Sequence, residues 1–523
     1  MATHEAYDWI VMIYLAGNNS LGEDCVAALM QMTEANISDK VAVFAQLNTD
    51  VHESTTLRIR DTTTVDDIQK ELNAALVEKE LQQAQQSSEQ PERETSHKLK
   101  IQKFVTECLK QCRASHRMLV LSGHGAGVEP FLGDSSGRSS FTVINLGQLI
   151  ETIDKELLNG DKIDILGLDS CLMSMTEIAY IVHNHVKVMI GAEGFEPKAG
   201  WPHNKVLERI SQMNPDDVHS LSKALVCDYI KHYTVFQAAN VSVDQAACDV
   251  EDGAVPMMKA IHSLGAALRE SLEEEKSRTD GSNPDVRDGV ILSHWEAQLY
   301  KNEQYIDLYD FCTLLKARLN KDTHFRIRRA CQNVLNTVVG AEKQKEIEEK
   351  EDKFEAELAD DDFRAPMSNN QGFMKPINFR TVSPFVLKSC YSGWAVQYSF
   401  GVSIYFPWSK APSDLEGYKQ LRFSTDSRWG DFLDTYLDAT QRQPRLGPVD
   451  PTNYRIGFVS SGFNVDLGVG FTAGFVPGHR NAEPNKNAEP NKGLTNLVGS
   501  MKNPPTRFSK CECDDETQPL GSD

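Results

Sequence analysis

Two side chains able to do covalent chemistry stand just beyond apolar runs. His124 lies in Ser122-Gly123-His124-Gly125-Ala126-Gly127, and Cys171 closes Asp169-Ser170-Cys171. A thiolate is a strong nucleophile, and an imidazole can protonate a leaving amine near neutral pH. The glycines around His124 let the backbone approach a substrate closely and leave N–H groups to face it. A helix expected from about Met173 would put its positive end at Cys171 and lower the thiol pKa. Each residue also has a structural reading. A cysteine before a helix is often a packing residue. A histidine in a glycine-rich loop is often only structural, and Asp169 would serve as a cap for the following helix.

These residues need a frame. Residues 9–15, 41–47, 117–122, 162–168 and 186–191 are apolar runs of strand length, the first stopped by Ala16-Gly17-Asn18-Asn19. Helices are expected over 21–34, 99–112, 143–158 and 173–183. Continuous apolar strands separated by helices point to an α/β fold with a mostly parallel sheet covered on both faces. Sites in such sheets lie beyond the carboxyl ends of the strands. If the third and fourth strands are neighbours, His124 and Cys171 share one rim.

Residues 1–202 form the expected core, with a Gln-, Ser- and Glu-rich solvated insertion at about 82–97. Residues 203–340 read mostly as helix, and 341–366 as a charged helix or linker. Residues 367–440 return to a strand pattern at 395–407. Residues 441–523 are rich in Pro, Gly and Asn, repeat Asn-Ala-Glu-Pro-Asn-Lys, and read as a flexible tail.

The bulk numbers narrow the function classes. The 523 residues are 40% hydrophobic and 25% charged, the composition of a soluble globular protein. A net charge of −21 argues against nucleic acid or an anionic membrane as partner and suits cationic peptides. The polar N-terminus lacks a signal-peptide pattern, and no apolar run reaches the ~18 residues of a membrane span. A cytoplasmic protein is expected. The eleven cysteines are scattered without zinc-site spacing and are expected to be reduced.

Several segments resemble the clostripain family of cysteine peptidases: residues 9–19, 119–127, Leu168-Asp169-Ser170-Cys171-Leu172-Met173-Ser174-Met175 with Glu177 to Tyr180, and Gly191-Ala192-Glu193-Gly194 with Pro197 and Gly200-Trp201-Pro202. The stretch 401–408, with Tyr418, Phe423 and Trp429 to Leu433, extends the resemblance to about residue 440. It implies a caspase-like αβα sandwich and endopeptidase activity. By position, His124 and Cys171 match the family's dyad. Asp169 matches the acid at the base of the S1 pocket, which pairs with a P1 Arg or Lys, and a desolvated carboxylate suits a guanidinium. The N–H groups of Gly125 and Cys171 would form the oxyanion hole. The family's loop before Gly200-Trp201 often carries a second acid; this chain departs from that, reading Glu196-Pro197-Lys198-Ala199. Family members are often cut between the dyad residues, where this chain has one arginine, Arg138, followed by Ser139. Arg138 reads equally as a surface residue. No cofactor is expected. Some family members need calcium, but Asp360-Asp361-Asp362 lacks the spacing of a calcium loop.

Two rival readings remain. Gly133-Asp134-Ser135-Ser136-Gly137 matches the G-x-S-x-G elbow of a serine esterase, but Pro130 precedes it and no helix pattern follows. The other rival is a protease-like module that has lost catalysis. That would normally cost the histidine or the cysteine, and this chain keeps both.

Overall fold

The structure is a computed structural model. It describes residues 6–49, 52, 54–85, 97–133, 141–236, 241–279, 285–301, 304–349, 384–408 and 412–441. Its centre is an eight-stranded sheet. In chain order the strands are β1 (Ala6–Gly17), β2 (Val41–Thr49), β3 (Thr55–Ile59), β4 (Arg113–Ser122), β5 (Ile163–Asp169), β6 (Val186–Gly191) and β7 (Val243–Asp249). After β8 (Leu299–Tyr300) and β9 (Tyr305–Asp307), strand β10 (Val386–Ser392) completes it, and β11 (Ser403–Tyr405) follows. The spatial order is β10-β7-β6-β5-β4-β1-β2-β3. Strands β2, β1, β4, β5 and β6 are parallel to their neighbours in that run. The outer strands β3, β7 and β10 pair antiparallel.

The sheet separates two apolar layers. Ile10, Met12 and Tyr14 of β1 face one core, and Trp9, Val11, Ile13 and Leu15 the other. This is why β1 reads as a continuous apolar run: successive side chains point to opposite, equally buried faces. Each fully buried residue of this kind contributes about 1.5–3 kcal/mol. Helices α1 (Gly22–Gln31), α2 (Val65–Gln85), α6 (His203–Gln212) and α7 (Val218–Thr234) cover the Trp9 face. Helices α3 (His97–Gln111), α4 (Val143–Thr152), α5 (Thr176–Val182) and α8 (Val250–Ser277) help cover the other.

Residues 203–340, though mostly helical, also supply β7 to the main sheet and β8–β9 to a second, three-stranded sheet completed by β11. β7 escapes the apolar pattern because it buries Asp244, Gln245 and Asp249. The two acids accept backbone N–H groups. Asp244 accepts the N–H groups of Glu193 (2.8 Å) and Gly194 (3.0 Å), and Asp249 caps α8 through the N–H of Asp252 (3.1 Å). Residues 341–349, the start of the charged segment, are helical, and Tyr309 donates to buried Gln344 at 2.9 Å. Eight described cysteines are free thiols. No described helix is long and apolar enough to cross a membrane.

Buried carboxyls hold the small sheet to the core. Glu193 accepts the N–H of Gly401 at 2.7 Å and hydrogen-bonds the Asp307 side chain. Asp307 accepts from Asp310 and Phe400. Burial pushes Asp307 up to about 7 and Asp244 up to about 6, and raises Glu193 well above the usual carboxylate range, helped by Asp307 and Asp244. The unfolded chain releases these protons at ordinary carboxylate values, so the folded state binds more protons. The stability they contribute is present at low pH and is lost as pH rises through the folded values. Thermal unfolding should therefore show stability falling from about pH 5 to about pH 8, and Glu193→Gln, which keeps a donor toward Asp307, should flatten that slope. An unchanged slope in the variant would show that the pair does not share a proton.

Candidate active site

Register decides the meeting of the two sequence-predicted residues. Ser122 of β4 pairs with Asp169 of β5, and the N–H of Gly123 donates to Asp169 O at 3.1 Å. His124 and Cys171 each stand two residues past that pair, on the carboxyl rim. Both line one open cleft, together with Asp24, Asp169, Glu196 and Lys198.

Gly125 packs directly on the nucleophile candidate. A Cβ there would lie 1.9 Å from Cys171 O and 2.6 Å from Cys171 N, so only glycine fits. The close approach sets the backbones of the two expected oxyanion-hole residues side by side. The hairpin β8–β9 supports the His124 loop from behind: Tyr305 donates to Ala126 O at 2.8 Å, and Lys301 pairs with Glu129 at 2.7 Å.

The helix expected at Met173 starts instead at Thr176 and has seven residues. It therefore gives Cys171 no helix terminus, a correction to the sequence reading. The intervening residues are stitched to neighbouring loops. Leu172 N–H donates to Gly194 O at 2.9 Å, Ser174 N–H to Ala192 O at 2.8 Å, and Ser174 Oγ to Gly401 O at 2.7 Å. The thiol is held in check at rest. Burial first, then the Glu196 and Asp169 carboxyls, push it up to about 12, against the Glu196 N–H that donates to Sγ at 3.2 Å. His124 moves the other way: burial and the Lys198 cation depress it, so its ring is neutral at pH 7. Its Nε2 lies 3.0 Å from Ser20 Oγ.

Asp169 does not cap α5; this reading too is corrected. Its Oδ1 accepts the Trp201 N–H at 3.0 Å, and its Oδ2 lies 3.4 Å from Nε2 of buried His203. Glu196, to which the sequence assigned no role, hydrogen-bonds the Asp169 side chain and accepts Trp201 Nε1–H at 3.3 Å. Burial and the Asp169 charge raise it well above the carboxylate range. Gly200, with φ +67°, leaves the approach to Asp169 open, since a Cβ there would sit 2.9 Å from both carboxylate oxygens.

Arg138, Ser139 and Ser135 lie outside the described residues, as does Asp360-Asp361-Asp362. The flanks of the Arg138 segment are joined, Phe131 N–H donating to Phe141 O at 2.8 Å. The buried acids Glu193, Asp244 and Asp307 accept backbone N–H groups. Among the described residues, no three His, Cys, Asp or Glu side chains gather as a metal site.

The model of the clostripain family matches residues 13–436. The chain belongs to the clostripain family. It is therefore a cysteine peptidase acting on peptide or protein substrates, and the expected α/β architecture with a mostly parallel central sheet stands. A secreted C11 cysteine protease from Bacteroides thetaiotaomicron, solved with an irreversible peptide inhibitor, is similar in structure: TM-score 0.48, 14% identity, covering 81% of this chain and 99% of that one. An inactive zymogen C11 protease from Parabacteroides distasonis gives TM-score 0.46 and 16% identity, covering 82% and 99%. No curated protein matches the chain. Within this clostripain-family chain, the residues that sequence reasoning missed are Glu196, Ser20 and Tyr305. Glu196 carried a readable signal, an acid two residues beyond Gly194 in a family loop. Ser20 and Tyr305 carried none, because their partners lie 104 and 179 residues away.

Proposed function

We propose that the protein is an endopeptidase cleaving after Arg or Lys, with Cys171 as nucleophile and His124 as acid and base. The observation that carries this reading is the buried carboxyl pair Asp169–Glu196 beside Cys171. Among the described residues no lysine or arginine forms an ion pair with either carboxyl; the ionisable partner beside Asp169 Oδ2 is His203, at 3.4 Å. Leaving charge buried without a counter-charge costs several kcal/mol. A P1 cation supplies what is missing.

In the reaction, His124 takes the Sγ proton as sulfur attacks the scissile carbonyl carbon. The N–H groups of Gly125 and Cys171 hold the oxyanion. The C–N bond breaks as His124 returns the proton to the amine, and water then hydrolyses the thioester. Fluorogenic peptides differing only at P1 test the reading: Arg and Lys should be turned over, and Leu and Asp should not.

The same specificity would let the enzyme cut itself after Arg138, between the fragments bearing His124 and Cys171. Mass spectrometry should find a new N-terminus at Ser139 in the wild type and an intact Cys171→Ala chain. An active wild type that stays whole would remove self-processing from the scheme.

A further inference from the structure

We propose that Ser20 is a positioning residue for His124. Its hydroxyl holds ring nitrogen Nε2, so that Nδ1 is the nitrogen that exchanges protons with the thiol and the leaving amine. The inference rests on the role of His124 proposed above.

Chain topology brings the two residues together. β1 sits between β2 and β4, so the chain leaves β1 toward one side of the sheet and later returns on the other. A crevice opens beyond the strand ends at such a reversal. Leu15 of β1 pairs with Ser122 of β4, and the turn after β1 therefore faces the loop after β4. Ser20 lies on the first and His124 on the second.

A serine ahead of a helix usually caps it. Here it does not: α1 begins after Leu21 with no side-chain cap, and Ser20 Oγ lies 3.0 Å from His124 Nε2 instead. The turn is built to keep the hydroxyl there. Asn19 Oδ1 accepts the Leu21 N–H at 2.9 Å, and Asn19 Nδ2 donates to Ala16 O at 3.1 Å and Gly133 O at 2.8 Å. The Gly133 contact matters because its neighbour Leu132 donates its N–H to His124 O at 2.8 Å. Asn19 thus ties the Ser20 turn to the segment that anchors the His124 backbone, and ring and backbone are held from the same side.

A neutral imidazole carries one proton, and its second nitrogen is the base. With Nε2–H donating to Ser20 Oγ, the Nδ1 lone pair receives the Sγ proton. The resulting imidazolium gives that Nδ1 proton to the amine nitrogen as the C–N bond breaks, while the Nε2 proton stays on the ring, hydrogen-bonded to Ser20 Oγ, throughout. The hydroxyl accepts from the ring in both charge states, so the ring need not turn during the cycle.

The test compares two leaving groups on the same P1 Arg acyl part. A peptide amide leaves only when protonated, and a p-nitrophenyl ester leaves without a proton. Ser20→Ala should lower kcat/KM for the amide by about 10-fold, the worth of one hydrogen bond to a charged group. The ester should lose less than the amide, since it still needs the Nδ1 lone pair to receive the Sγ proton but needs no proton on its leaving group. The pair Ser20→Thr and Ser20→Val repeats the comparison at constant shape: Thr should keep most amide activity and Val should lose it. Equal losses on both substrates, or none on either, would overturn the proposal. An active His124→Ala protein would instead remove the His124 role on which it rests.

Discussion

Replacing Cys171 with alanine is expected to abolish hydrolysis of a P1 Arg fluorogenic peptide without disturbing the fold. The side chain is small, and among the described residues its Sγ hydrogen-bonds only the backbone of Glu196. His124→Ala should lower turnover by several orders of magnitude, because members of a catalytic unit act together and the loss of one removes most of what the other contributes. The resting thiol sharpens the expectation. With the thiol pushed up to about 12, little thiolate exists at neutral pH without a base to receive the proton. Steady-state assay of folded protein, checked by circular dichroism, decides the matter. Near-normal activity in either variant would remove the assignment of the pair.

Asp169→Asn carries the next largest effect. Asparagine preserves shape and can still accept the Trp201 N–H, so Gly200 and Trp201 should stay in place. What disappears is the charge. A P1 guanidinium would enter a buried pocket from which the Asp169 carboxylate is gone. The expected loss in kcat/KM for P1 Arg is about 100-fold or more, with KM raised. Peptide-library profiling gives the complementary result: a P1 Asp or P1 Leu preference in the wild type would sink the S1 role of Asp169, whatever the variant does.

The central strands, their helices and the rim carrying His124 and Cys171 are legible in the residues alone. Their information is local. Apolar runs such as residues 9–15 announce strands because both sheet faces are dry, and glycines and polar residues mark where each strand ends. Strand order is not local, and neither is anything that depends on it. Nothing in the residue pattern says that β4 lies between β1 and β5, which alone sets Ser20, His124 and Cys171 around one crevice. β7 stayed hidden because its buried Asp244 is satisfied by the N–H groups of a loop some fifty residues earlier, a long-range pairing that reverses the usual meaning of polarity in a strand. The residues after Cys171 read as a helix because Met173 to Val182 contains no Gly or Pro to interrupt it. Hydrogen bonds to residues 192–194 and the bridge from Met175 to Ser403 hold the first part extended instead. The environment of the thiol follows from that competition. Local sequence named the cysteine and the histidine; the tertiary contacts decided that burial and two carboxyls hold the thiol protonated, because charge and desolvation act across space and not along the chain.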